Sequence, residues 1–407
     1  MDLSRRAILG SAASIALPLS AKAVPSMLPP LPDKGSFEFH GTYMAAAYTH
    51  PISKAVRQAG NDFLLSRADR DVTRAWPRDN PRNAAVAQFA GLINANAKDI
   101  AVVPSTTDGE NRIVSALGIG PEAGVITDAY HYDGSLALYG ELAKEGVPIA
   151  CIAPKNNRIA LSDIDRAITP HTKLIAISHV GSDTGYQHDL KALSALAHAK
   201  GVLVYADIVQ SAGAIPIDVK DSGVDFCCSG GYKWLMGDFG AAFLYVRPDR
   251  LNALKRTAIG WRQTVNQKSH VYPFDPPGPA ITDFSLKNDA AGKFEVGTPS
   301  WCTLAMLEKS IAYVRALSVA RIAAHRKPLI ARLREELPKR GYAPMTPPET
   351  QGPIVTFAYR DAQKTLEPLL KAANIKITVG SNRIRISPSV YNDMGDIEKL
   401  LRVLPKA

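Results

Sequence analysis

The 407-residue sequence predicts an α/β fold: a large domain built on a mostly parallel seven-stranded sheet, followed by a small α+β C-terminal domain. Three observations predict it. Seven short apolar, β-rich runs recur between residues 100 and 246, amphipathic stretches separate several of them, and after about residue 300 long helical segments mix with short strands. Strand–helix alternation of this kind argues for a parallel sheet. Runs that are apolar throughout fit strands covered on both faces.

The chain opens with Arg5 and Arg6, an apolar stretch from Ala7 to Leu19, and Ala21-Lys22-Ala23, a small-x-small cleavage site. The order Ser4-Arg5-Arg6-x-Ile8-Leu9 resembles a bacterial twin-arginine export signal. That implies a signal peptide over 1–23 and a periplasmic location. Losing Arg5, Arg6, Lys22 and Asp2 lowers the formal net charge from +10 to +8. No other apolar run approaches the roughly 18–20 residues that span a membrane, so no membrane association is expected after removal of the signal. Residues 24–50 form an N-terminal arm, rich in proline up to about 40. The large domain is expected over 51–300. Its strand runs are Ile100–Val103, Gly124–Thr127, Pro148–Ile152, Leu174–Ser178, Val202–Ala206, Phe226–Ser229 and Gly240–Val246. Helical segments such as Gly134–Glu145 and Leu190–Lys200 lie between them, and 247–293 reads as an irregular connection. The small domain, 301–407, begins with one long helix over about 302–337. Strand Ile354–Tyr359, a helix near 361–373, strands Lys376–Val379 and Arg383–Ser387, and a helix near 394–403 follow.

Composition narrows the function. Hydrophobic residues at 46% and charged residues at 21% are globular values and exclude a disordered or collagenous chain. Four cysteines exclude a disulfide scaffold, and adjacent Cys227 and Cys228 read as small buried hydrophobes. Without a CxxC or HExxH pattern, no metal site is expected. Lys and Arg outnumber Asp and Glu by 48 to 38, yet no run of five basic residues occurs, so no nucleic-acid partner is expected.

The chemistry concentrates between 202 and 234. The run Val202–Ala206 ends in Asp207-Ile208-Val209-Gln210, and Ser229-Gly230-Gly231-Tyr232-Lys233-Trp234 follows the next apolar run. Ligands of open α/β sheets bind at the carboxyl ends of strands, so Asp207 and Lys233 can face one cleft. A Schiff-base lysine with an acid that keeps a pyridinium nitrogen protonated is the chemistry of pyridoxal 5'-phosphate.

With those residues the sequence resembles the class V branch of fold-type I pyridoxal-phosphate enzymes over roughly 40–407, and most closely its isopenicillin-N-epimerase-like and aminotransferase-like members. The resemblance implies that Lys233 is the Schiff-base lysine, Asp207 the pyridinium partner, and Gln210 the residue aimed at the cofactor's phenolic oxygen. Pro104-Ser105-Thr106-Thr107-Asp108-Gly109-Glu110-Asn111 resembles the family's phosphate turn, where Thr106 or Thr107 supplies a hydroxyl at a helix start. Ser105 replaces the family's first glycine, and by itself the segment equally reads as an N-cap. Tyr232 stands where a phosphate contact often lies. The family serine three before the lysine is Gly230 here, with Ser229 one earlier, so the phosphate hydroxyl near the lysine stays open between Ser229 and Tyr232. Asp128-Ala129-Tyr130-His131-Tyr132 resembles the stretch carrying the ring-stacking residue. His131 is the first choice, with Tyr130 and Tyr132 as alternatives. In Ser178-His179-Val180-Gly181-Ser182-Asp183-Thr184-Gly185 the family asparagine is Ser182, a substrate-side change. Phe294-Glu295-Val296-Gly297-Thr298-Pro299-Ser300 by itself reads as a Gly-Pro turn, but it resembles the family's Phe-Glu-Ala-Gly-Thr-Pro-Asn, and that resemblance implies a homodimer in which Thr298 reaches the partner's site. Arg385, in Arg385-Ile386-Ser387-Pro388-Ser389-Val390-Tyr391-Asn392, matches the clamp on a substrate carboxylate, and Arg383 is its rival on the same strand face. Tyr48 and His50 match the family's N-terminal substrate-side segment and read as structural.

No cysteine lies between Thr303 and Ala407, so the thiol that carries persulfide in a cysteine desulfurase is missing. The expectation is an exported enzyme acting on an amino acid or amine through an external aldimine, an aminotransferase first, with an epimerase or a C–S or C–Se lyase as alternatives.

Overall fold

The structure, a computed structural model, describes residues 30–69 and 81–406. The expected signal segment 1–23 lies outside the described residues. Among them, no helix is long and apolar enough to cross a membrane.

The chain enters through a two-residue strand, β1 (Thr42–Tyr43), and then builds the large sheet from β2 (Ile100–Val103), β3 (Gly124–Asp128), β4 (Ile149–Ile152), β5 (Thr172–Ser178), β6 (Leu203–Asp207), β7 (Phe226–Gly230) and β8 (Ala242–Val246). Their order is β2-β8-β7-β6-β5-β3-β4. Only β8 runs antiparallel to its neighbours. Side chains alternate strictly between two cores, as the pleat requires. Ile175, Ile177, Val204, Ala206, Cys227 and Phe243 enter one core. Leu174, Ala176, Tyr205, Phe226, Cys228 and Leu244 enter the other. Helices Pro81–Leu92 and Leu190–Ala199 cover the first face, and Thr106–Leu117 and Asp133–Lys144 the second. Both faces being dry is why the runs are apolar throughout. Cys227 and Cys228 are fully buried, as expected, and all four cysteines are free.

Two expectations need correction. Residues 247–293 are not simply irregular: β9 (Thr264–Ser269) and β10 (Thr282–Leu286) form an antiparallel hairpin. Its polar, exposed strands lack the apolar pattern that would have marked them. The long helix over 302–337 is two helices, Trp301–Leu317 and Val319–Lys339, broken at Ser318 in a left-handed conformation (φ 66°). The first of them puts Leu304, Leu307 and Ile311 into the large core. The large core therefore extends past residue 300, and the second core begins after Ser318.

That second core gathers helix Val319–Lys339, strands β11 (Ala343–Pro344), β12 (Val355–Ala358), β13 (Ile375–Lys376), β14 (Thr378–Gly380) and β15 (Arg383–Ile386), and helix Met394–Val403. The N-terminal arm belongs with it. β1 pairs in parallel with β13, and Ala45 bridges to Ser387. The arm then crosses to the sheet, where His50 N donates to Tyr232 O at 3.1 Å. Residues 42–50 thus stitch the small domain to the loop that carries Lys233.

Candidate active site

Asp207 ends β6, and Lys233 follows β7 by three residues. The loop after β7 is tight. Gly213 adopts φ 86°, and a Cβ there would lie 2.4 Å from Trp234 O, so only glycine lets the two segments approach. Lys233 is buried, and burial lowers its ammonium to about 8, against the pull of Asp207 and with the push of Arg385. Asp207 is raised to about 6 by burial, despite a hydrogen bond from Val209 N at 2.8 Å and the nearby charges of His131 and Lys233. Two groups with values moved towards neutrality in one cleft mark a functional centre. The dominant cause in both is loss of water.

Thr106 and Thr107 open the helix Thr106–Leu117, whose first N–H groups follow an N-cap in which Ser105 Oγ accepts from Asp108 N. A Cβ at Gly230 would lie 3.2 Å from Thr106 Oγ1. Gly230 thus lets the end of β7 come close to a hydroxylated helix start, the kind of group that favours a phosphate. Ser229 does not share it. Strand alternation turns Ser229 to the Cys227 face, away from Thr106, where its hydroxyl is buried and donates to Gly230 O. The expectation of Ser229 on the phosphate is overturned by that parity.

His131 is not placed to cover a cofactor ring. Its side chain is wholly buried, with Nδ1 2.9 Å from Ser178 Oγ and Nε2 2.9 Å from Glu110 Oε1. Both edges are occupied and neither face is open. Burial opposes charging the pair, but mutual attraction and the hydroxyls of Ser135 and Tyr139 outweigh it. Glu110 is therefore held below, and His131 above, the usual value. Ser178 sits opposite Asp207 in the β5–β6 register, so this pair lies beneath the site. Tyr132, one residue on and 43% exposed, is the open aromatic. Burial raises the Tyr232 phenol, and Tyr132, Asp207 and Tyr48 raise it further, so the three flank Tyr232. Tyr232 stacks on Phe239 at 4.7 Å, with the Lys233 ammonium 5.7 Å from its ring.

Gln210 accepts from Trp234 Nε1 and donates to Ala47 O, both at 2.9 Å. One amide hydrogen remains for a cofactor oxygen. Arg385 is buried beneath Ser182, donating to its carbonyl at 2.6 Å and to Thr378 Oγ1 at 3.2 Å, while its Nε has no partner among the described residues. Burial lowers its guanidinium. Ser182 contributes a backbone oxygen to that arginine, not its hydroxyl. Arg383, more exposed, is engaged by Asp183. Thr298 is exposed, on the segment after Glu295. His50 is buried between Pro51 O and Ser389 Oγ, at 2.7 Å each, and burial lowers it to about 4, a structural role.

Sequence reasoning missed Glu110 and Arg326. Both had a signal: each interrupts an apolar helical stripe, Glu110 before Ile113, Val114 and Leu117, and Arg326 between Ile322 and Leu329-Ile330.

A doubly covered parallel sheet with a buried lysine and acid at its strand ends is the arrangement of a pyridoxal-phosphate-dependent enzyme. The aminotransferase class-V family model matches residues 74–402, and the chain belongs to that family. It is 28% identical over 351 residues to the uncharacterized aminotransferase YcbU of Bacillus subtilis, covering 85% of this chain and 88% of that one. It is also 28% identical to the cysteine desulfurase IscS of Shewanella oneidensis over 215 residues, about half of each chain. In fold it is similar to the cysteine desulfurase CsdA of Escherichia coli (TM-score 0.78, 21% identity, 91% of this chain and 96% of that one). A second similar structure is C-DES carrying a lysine-to-alanine change, with glycine linked to its pyridoxal-phosphate cofactor (TM-score 0.77, 19% identity, 91% and 98%). Pyridoxal 5'-phosphate is the cofactor of this family. The hydroxylated helix start at Thr106 and the buried Lys233 near Asp207 fit it.

Proposed function

We propose that this protein is an exported class V aminotransferase acting on an α-amino acid or a related amine. The observation that carries the reading is buried Lys233, close enough to Asp207 and Arg385 for both charges to act on it. Bound there, pyridoxal phosphate supplies a carbonyl that condenses with an amine and a ring that takes up electrons from the Cα–H bond. The chain's own residues do the rest. Arg385, whose buried Nε lacks a partner among the described residues, is the guanidinium for a substrate carboxylate. Asp207 holds a proton on the pyridine nitrogen. Lys233, with its lowered basicity, removes the Cα proton and returns it elsewhere. Thr106 and the helix start hold the phosphate, and Tyr132 covers the ring in place of His131.

Incubation of the loaded enzyme with a panel of amino acids and an acceptor keto acid tests this. Keto-acid formation matched by amination of the acceptor supports it. Ammonia or sulfide release, or inversion at Cα without amino transfer, would replace transamination by elimination or epimerisation. The homodimer belongs to the same proposal, supported by exposed Thr298 and by a hairpin whose tip exposes Val271, Tyr272, Phe274 and Ile281. Light scattering that returns a monomer would remove it. Export rests on the N-terminal pattern, and absence of the mature chain from a periplasmic fraction would remove that part.

A further inference from the structure

A cavity of about 700 Å³ lies where helix Val319–Lys339 faces Ile215-Pro216 and the loop Thr350-Gln351-Gly352. Arg326 lines it and is only 1% exposed. Its Nη2 donates to Ala214 O at 2.7 Å, and its guanidinium carbon stands 5.3 Å from the centroid of the Trp234 ring. Its Nη1 has no hydrogen-bond partner among the described residues. Burial alone shifts it, lowering it to about 9, with no carboxylate contributing. Arg334 and Lys327 also line the cavity, and Arg334 Nε is likewise without a partner among the described residues. The lining contains no Asp or Glu. The acid that acts on Arg334, Glu349, is held at both oxygens by Arg158, at 2.6 and 2.9 Å.

A guanidinium removed from water and lacking a counter-charge is costly, and the unused N–H adds to that cost. A bound anion relieves both. Ile215, Pro216, Ile330 and the alanines 320, 323, 324 and 331 give the wall an apolar stretch, and Gln187, Thr350 and Gln351 add uncharged polar groups. We propose that this cavity is a second ligand site, distinct from the lysine cleft, for an organic anion. Its carboxylate or phosphate head sits on Arg326 with Arg334 and Lys327, and its apolar body lies against Ile215, Ile330 and the alanines. Trp234 stands between Arg326 and the chain neighbours of Lys233, and its indole N–H is on Gln210. Occupancy is therefore communicated to tryptophan fluorescence.

The test is calorimetric and fluorimetric titration of the purified full chain, with and without added pyridoxal phosphate. The probes are butyrate, hexanoate, octanoate, octyl phosphate and inorganic phosphate. Affinity should rise about fourfold per added methylene that is buried, and the octyl series separates a carboxylate from a phosphate head. Arg326→Met should abolish binding. Because that change can also unfold the chain, Ala324→Glu, on the exposed face of the helix, is the second variant. It should weaken octanoate at least tenfold while circular dichroism and cofactor loading stay unchanged. Arg385→Gln should leave this binding intact, since the lysine cleft is a separate carboxylate site. Loss of binding in Arg385→Gln but not in Ala324→Glu would overturn the proposal, as would affinity independent of chain length or no binding at tens of millimolar.

Discussion

Two buried carboxylates, Glu295 and Asp207, sit in motifs of the same family and do opposite work. Glu295 is saturated. Arg82 grips both its oxygens, Val102 N donates to it at 2.8 Å, and Arg262 lies 3.5 Å away. It ties the segment before Thr298 to the start of β2. Asp207 has one backbone donor and otherwise only neighbouring charges. A saturated acid holds the scaffold, whereas an under-compensated one keeps capacity for a proton outside the chain. The Glu110–His131 pair beneath the site belongs with Glu295.

The sharpest way to break this contrast is Lys233→Ala. Loss of both the attachment point and the base should cost about 10⁴-fold or more in turnover and abolish the visible absorbance of bound cofactor, with folding unchanged. Glu295→Ala should leave Arg82 and Arg262 uncompensated and cost about 3–5 kcal/mol of stability, read as a lower urea midpoint, while cofactor absorbance per folded molecule persists.

Asp207→Asn should change stability with the opposite sign. The carboxyl rises from its usual 3.8 to about 6 on folding. The folded chain therefore holds the extra proton, and stability falls as pH rises between those values. Without cofactor, Asp207→Asn should nearly match the parent at pH 4 and exceed it by about 3 kcal/mol well above pH 6. A variant less stable than the parent at pH 7 would place Asp207 with the scaffold acids. Loading of the cofactor onto the apoprotein supplies a kinetic counterpart. Only neutral Lys233 reacts, so the rate should climb with pH and level off near 8, where a lysine at its ordinary 10.5 would keep climbing. The smallest contrast lies on β7. Thr106→Ala should weaken cofactor binding about tenfold, through one lost charge-assisted hydrogen bond. Ser229→Ala, on the other face of the strand, should change it by less than about threefold.

The seven strands, the lysine and acid at their carboxyl ends, the helix start at Thr106 and the arginine Arg385 were all legible in the sequence. All are local: an apolar run, a cap, or a charged residue beside a strand end carries its meaning in a few neighbours. The tertiary structure decided what depends on distant partners. It set the parity that faces Gly230 and not Ser229 towards Thr106, the break at Ser318 that returns Trp301–Leu317 to the large core, and the enclosure of His131 by Glu110 and Ser178. It also left Arg326 buried against Trp234 without an acid. Burial and pairing are properties of the packed whole, and a charged residue in an apolar stripe signals that it is buried without revealing what it meets.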